Sequence, residues 1–436
     1  MNPEFRRQLW LQFSLSRLIL MPALLLLGGL VVLLSSTHDR LSEGLASAAL
    51  GVFLVIVYGM GTNAAGASIL EEIQERTWDQ QRMSAMQPWA MTWGKLAGAT
   101  SFAWYGGALC LLVFVPASWL AGWAHAGEMA ICGVLGGILL HALLLAVNLQ
   151  LGRNPDKLAQ RGGMWALLCF VLWALAIAAN FARSSTLAWW GEEYEPWAFL
   201  LASLLVFVPC VLVAAWRLMA ESLAVRQLPW SWPALTLLLT GYVGGFTAPA
   251  HLPLSLTGLG IAALLTYASL LSQPQARAVW QRVLALAGAG QWRSVLLQLP
   301  PWLTSLALVL PFALLATFQL SGKVNGLEGA GQFAVQQPLV IALLTLRDCC
   351  LLLFFSFNPQ ARRPQGAFMI TMLVLYLLLP WLFAAMDANL LTALIFPLRG
   401  ESATASGIAA LHAGAAFLLL KWQWARTRPA AEASLA

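Results

Sequence analysis

The chain is a succession of apolar runs separated by short polar connections. Runs at roughly 18–36, 44–66, 97–120, 129–151, 163–181 and 197–216 are followed by a second set near 233–249, 255–272, 300–320, 336–357, 367–386 and 404–420. A helix rises about 1.5 Å per residue, so about 20 apolar residues cross a hydrocarbon core of about 30 Å. The 233–249 and 404–420 runs are the shortest of the set. The pattern predicts an all-α polytopic membrane protein with about 12 transmembrane helices in two six-helix halves, 18–217 and 218–421. Ahead of them, residues 1–17 mix Arg6, Arg7 and Arg17 with Trp10, Leu11, Phe13 and Leu15. That composition suits an amphipathic helix lying in the cytoplasmic interface. A cytoplasmic tail, 422–436, follows the last run. The first run is long enough to span, so no cleavable signal peptide is expected.

One stretch breaks the apolar pattern. Residues 67–96, ASILEEIQERTWDQQRMSAMQPWAMTWGKL, form the longest strongly polar segment. Glu71, Glu75 and Asp79 recur every four residues, the spacing of one helix face. Glu72 and Arg76 make a second i, i+4 pair with the acid first, the favoured order. Arg82 follows one turn beyond Asp79, and Pro88 interrupts the pattern. Trp89 and Trp93 then lead through Gly94 and Lys95 into the next apolar run, as a tryptophan belt and a lysine at the membrane surface would. The expectation is a short charged helix over about 70–87 that docks a cytosolic partner. A solvated linker is the plainer alternative.

This segment resembles the one that follows the second span in permeases of the ABC transporter type 2 class. Glu71, Glu72, Glu75, Arg76, Thr77, Pro88, Gly94, Lys95 and Leu96 fill the places of that pattern, and the glycine usual before the threonine is missing. The close match covers about thirty residues, with the span layout extending it more weakly. The resemblance implies a coupling helix, with Glu71, Glu72, Glu75, Arg76, Asp79 and Arg82 meeting a separate cytosolic ATPase subunit that carries ATP and magnesium. It further implies an exporter, with further membrane subunits as possible partners.

Composition agrees with the membrane reading. Of 436 residues, 60% are hydrophobic and 10% charged, where soluble domains are about a quarter charged. Twelve spans put both ends on one side, and the connections on that side with the termini hold 19 of the 24 lysines and arginines. The positive-inside rule then places both termini in the cytoplasm, across a bacterial inner membrane. The net charge of +6 is accordingly a topology signal with lipid as the contact, not a nucleic-acid footprint. The six cysteines fall in apolar runs without metal spacing and read as packing residues. The five histidines are scattered. Gly94-Lys95 lacks the rest of a phosphate loop, so no catalytic group or cofactor is expected in this chain.

The halves echo each other at a period of about 200 residues. Ala67-Ser68-Ile69-Leu70 corresponds to Ala268-Ser269-Leu270-Leu271, Trp78 to Trp280, and Asn154-Pro155 to Asn358-Pro359. The second counterpart of the polar stretch carries Arg277, Arg282 and Arg293 and no carboxylate. It is either a second coupling loop or a basic helix drawn to anionic lipid headgroups. Arg347 and Asp348 stand about ten residues inside the tenth run, roughly 15 Å deep. Ionisable groups at that depth cost several kcal/mol unless paired. Neighbours in a helix do not face each other, so His141 and Asn148 in the fourth run are the expected partners. The pair is either a substrate-pathway or gating site or a buried polar lock.

Together these features point to the permease subunit of an ATP-driven transporter for a lipid-like or small hydrophobic substrate. The alternative is a twelve-span ion-coupled secondary transporter using Arg347, Asp348 and His141. The charge asymmetry makes a direct prediction in a background with the six native cysteines replaced. Single cysteines at Ser42, Ser185 and Ser402 should react with an impermeant thiol reagent on intact cells, and those at Ser84 and Gln360 should not. Labelling of Ser84→Cys from outside would overturn the orientation.

Overall fold

A computed structural model describes residues 2–35, 40–84, 86–151, 186–225, 227–248, 252–272, 275–323, 331–361, 363–399 and 402–426. The expected span at 163–181, the Asn154-Pro155 pair, Ser185 and residues 427–436 lie outside them. The helices are α1 Pro3–Gln12, α2 Leu15–Ser35, α3 Leu41–Gln74, α4 Trp78–Arg82, α5 Pro88–Ala99, α6 Ser101–Leu120 and α7 Ala126–Leu151. The three-residue strands β1 Leu187–Trp189 and β2 Glu192–Tyr194 form a hairpin. Then come α8 Pro196–Ser222, α9 Ser231–Thr247, α10 Leu254–Ser272, α11 Arg277–Gly288, α12 Trp292–Gln298, α13 Pro301–Lys323, α14 Gly331–Ser356, α15 Pro364–Ala385, α16 Asn389–Ile395 and α17 Ser402–Arg426. Five of these helices begin on a proline, whose fixed φ and missing N–H suit the first helical position.

Ten helices among the described residues are long and apolar enough to cross a membrane. The chain is therefore an all-α polytopic membrane protein. The run at 233–249 becomes α9, only 17 residues long, at the lower limit for crossing. The chain divides into two compact units, Met1–Leu187 with Glu193–Gln227, and Ala188–Glu192 with Leu228–Ala436.

In the first unit α7 packs on α3 and α8, and α6 packs on α3. In the second, α14 packs on α13, α15 and α17, and α10 packs on α13. The apolar window of α7 and that of α14 are each 56% buried, against 6% for α2. So α7 and α14 are the central helices of their units, and α2 presents its leucines outward. Among the described residues two spans loosen into π turns, Leu54–Gly61 in α3 and Val374–Leu378 in α15. Such turns disturb the regular ladder and frequently mark functional positions. In the first, the Val57 carbonyl meets His141 Nε2 at 2.8 Å.

The N-terminal helix turns polar residues inward and apolar ones outward. It ends at Gln12, and its buried residues are the polar Glu4 and Gln8, while Trp10 and Leu11 are 77% and 62% exposed. Asn2 caps it, accepting from Glu4 N at 3.0 Å, and its amide donates to the Ala90 carbonyl. The polar face points inward because α1 lies against α5. Gly94 and Gly98 permit that approach: an added Cβ would stand 2.8 Å from Glu4 Cβ at Gly94 and 2.6 Å from Gln8 Cβ at Gly98. This is the small-xxx-small spacing that lets helix backbones approach closely. Gly98→Leu should lower stability by about 1–3 kcal/mol through overpacking, seen as a lower thermal midpoint of the detergent-solubilised chain. Gly51→Ala, whose added Cβ meets open space, should leave the midpoint unchanged. Equal midpoints for Gly98→Leu and the parent would show that α1 does not need the close approach.

Candidate functional site

The polar stretch 67–96 folds as three pieces, not as one helix over 70–87. α3 ends at Gln74, Glu75 is its C-cap, and Arg76 takes a φ of 59°. That left-handed conformation reverses the chain before α4 begins at Trp78. The expected continuous stripe of Glu71, Glu75 and Asp79 is therefore split across a turn. All three remain exposed, as do Arg76 and Arg82. Arg82 meets Asp79 at 3.4 Å. Trp78 roots α4 in an apolar cluster with Ile69, Met91, Leu145, Leu149 and Met219.

Glu72 is placed differently. It does not pair with Arg76, which faces outward, and it is only 7% exposed. Lys95 Nζ lies 2.5 Å from Glu72 Oε2, Gln81 Nε2 donates to Oε1 at 2.7 Å, and Arg7 donates to the same Oε1. Lys95 was expected at the membrane surface, yet it has no exposed surface. It stands well inside α5, and Gly94 lets α1 close over it. Its ammonium also donates to Glu4 Oε1 at 3.1 Å and the Ser68 carbonyl at 3.5 Å, and lies 5.6 Å from the Trp78 ring centre. Arg7 grips Glu4 through Nε and Nη2, both at 2.9 Å, and Gln8 adds a bond at 3.0 Å. Two carboxylates and two cations thus cancel, joining α1, the end of α3 and α5. Burial by itself would raise the Glu4 carboxyl, but the Arg7 hydrogen bond, the Lys95 charge and Gln8 outweigh it and hold it at about 2.

The second loop is built from other material. Arg277 stacks 4.6 Å from the Trp424 ring centre and donates to the Trp424 carbonyl at 3.1 Å. Trp302 is buried against Trp280, with ring centres 5.8 Å apart, and donates to Gln275 Oε1 at 3.1 Å. Arg282 and Arg293 are exposed beside the equally exposed Val279, Leu284, Trp292 and Leu296.

Arg347 and Asp348, on α14, are 4% and 1% exposed. Contrary to expectation, they pair with each other. Arg347 Nε donates to Asp348 Oδ1 at 2.8 Å, and Nη2 lies equally near the same oxygen. The flexible arginine stem folds back to make this contact, which the direction of the two Cβ atoms alone does not suggest. The other partners are Tyr267 and Tyr376, not His141 and Asn148. Their hydroxyls donate to Asp348 Oδ2 at 2.7 and 2.6 Å. Arg347 stacks 5.0 Å from the Tyr376 ring centre. His141 is engaged with Val57, as above, and the Asn148 amide lies over Gly66. Asp348 opens on a chamber of about 400 Å³ between α10, α14 and α15, walled by Ile341, Leu344, Phe368, Met369 and Met372.

One further cluster escaped the sequence reading. His125 has a carboxylate on each ring nitrogen, Glu128 at 2.9 Å and Glu195 at 3.0 Å. Of the described residues, these three form the one group whose ligand atoms lie close enough to share a metal ion. No protein-family profile, curated protein or solved structure matches the chain.

Lys95→Met should destabilise the protein by about 3–5 kcal/mol, because it leaves two buried carboxylates short of a cation. Adding Glu4→Gln and Glu72→Gln should recover much of that loss, and thermal unfolding of the three proteins checks both. Acid sensitivity follows from Glu4. Its folded-state value is depressed, so its contribution is fully present above the ordinary carboxylate value near 4.5 and is lost as pH falls through about 2. Stability should therefore show no Glu4-dependent change between pH 5 and 8. Below that range, the Glu4→Gln variant should lose less stability than the parent.

Proposed function

We propose that this chain is the membrane permease of an ATP-driven transporter that exports a lipid-like or small hydrophobic molecule. A separate cytosolic ATPase docks on the 67–96 segment and supplies the hydrolysis. The observation that carries this reading is the buried Lys95–Glu72–Glu4–Arg7 cluster beneath an exposed set of charges. A solvated linker has no use for such an anchor, whereas a docking element must hold its surface fixed to transmit force to the spans. The cluster also gives a physical reason for the Gly94-Lys95 pair by which the segment resembles type 2 ABC permeases. Glycine admits α1, and lysine closes the ion network.

The same geometry reassigns one residue. Glu72 acts as an anchor within the chain, while Glu71, Glu75, Asp79, Arg76 and Arg82 are the groups available to a partner. For the second loop, exposed arginines beside Trp292 and Leu296 favour contact with anionic lipid over a soluble subunit.

The test is ATPase activity co-purifying with the full chain from detergent extracts of its native membranes. Charge pairs at an interface set register and on-rate. Glu71→Arg, Glu75→Arg and Asp79→Arg together should reduce co-purified activity by about ten-fold. Glu192→Arg with Glu193→Arg, and separately Arg282→Ala, should change it little. Undiminished activity after the triple reversal would remove the support for docking.

A further inference from the structure

The hydrogen-bonding inventory of the Asp348 chamber limits what can occupy it. Both tyrosine hydroxyl protons are already committed to Asp348 Oδ2. The Thr345 hydroxyl, also on the wall, donates to the Ile341 carbonyl at 2.8 Å. Arg347 is not part of the lining, and its guanidinium lies on the opposite carboxylate oxygen, Oδ1. Among the described residues the polar floor therefore offers lone pairs and no free proton. Every other described residue facing the space is apolar, and the volume falls within the range of small-molecule pockets. A ligand bearing a carboxylate or phosphate would set lone pair against lone pair. One bearing an ammonium would give charge-assisted bonds to Asp348 Oδ2 and the phenolic oxygens. Tyr376 sits in the π turn of α15, a distortion that recurs where a helix contributes to a site.

We propose that this chamber is a binding site for a compact hydrophobic amine, taken as its ammonium form, with Asp348, Tyr267 and Tyr376 receiving the nitrogen. As a statement about cargo, this rests on the permease reading. As a statement about binding it does not, and the experiment measures binding.

The full chain is reconstituted in nanodiscs of uncharged lipid and titrated calorimetrically with 1-aminoadamantane, 1-adamantanol and adamantane-1-carboxylate, which share one apolar cage. Protein-free nanodiscs supply the partition blank. The amine should bind saturably, the alcohol about ten-fold more weakly, and the carboxylate not at all. Asp348→Asn should lose about ten-fold or more in amine affinity. Because that variant leaves Arg347 buried without its partner, two others are read beside it. Tyr267→Phe removes one acceptor and should weaken the amine selectively. Met369→Trp fills the chamber and should weaken amine and alcohol alike. No saturable amine binding, equal binding of amine and carboxylate, or amine affinity unchanged in folded Tyr267→Phe and Met369→Trp proteins would each overturn the proposal. Amine binding without a co-purifying ATPase would count against the permease reading alone. A co-purifying ATPase without amine binding would count against the ligand class alone.

Discussion

The first unit depends on a buried ammonium. Taking an ion of that size out of water carries an effective penalty of several kcal/mol. Lys95 is tolerated because two carboxylates and a carbonyl surround it, and because Arg7 brings the local charge back to zero. The arrangement requires three segments to arrive together. α5 brings the lysine, the last turn of α3 brings Glu72, and α1 must lie close enough for Glu4 to reach. That last condition explains Gly94 and Gly98. Removing any one charge leaves the others uncompensated, so the network fixes geometry more than it adds stability. The exposed acids of the same segment are then displayed from a backbone held on three sides.

The second unit meets the same cost with a smaller device. Arg347 and Asp348 neutralise each other within two residues, and two tyrosines complete the carboxylate. An ion pair between sequence neighbours ties no helices together by itself. The tyrosines do so, one from α10 and one from α15, which makes Asp348 part of the floor of a chamber and not a clamp. Backbone distortion accompanies polarity in both units. With no water in a bilayer core, every freed carbonyl or buried hydroxyl needs a protein partner. The π turn of α3 has His141 at Val57, and that of α15 carries Tyr376 to Asp348.

How much of this was legible depended on the range of the interaction. That the chain is an all-α polytopic membrane protein was plain because a run of about twenty apolar residues is a local property. The polar stretch was plain for the same reason. Its internal geometry was not, because i, i+4 spacing assumes a continuous helix and Arg76 ends it. Glu72 illustrates the limit: the local pattern offered Arg76, while the partners realised are Lys95, 23 residues away, and Arg7, 65 away. Asp348 repeats the lesson. Its tyrosines stand 81 and 28 residues distant, and a tyrosine in an apolar run gives no sign of what its hydroxyl will meet. Lys95 looked like an interfacial lysine because its neighbours Trp89 and Trp93 are interfacial in character. The end of α3, Trp78 of α4 and the approach of α1 together bury it.

The 67–96 loop and the 273–300 loop differ in surface chemistry, and the difference decides what each can touch. The first hides its apolar root, Trp78, and displays carboxylates with two arginines. Such a surface is stable in water and suited to a soluble partner, where charge sets orientation. The second displays Val279, Leu284, Trp292 and Leu296 between Arg282 and Arg293. Apolar surface left in water forfeits about 25 cal/mol per Å², and a membrane interface removes that penalty while anionic headgroups take up the arginines. The proposed docking function accordingly falls on the first loop alone. The absence of carboxylates from the second loop then has a physical reading: at an anionic surface they would repel the headgroups that its arginines attract.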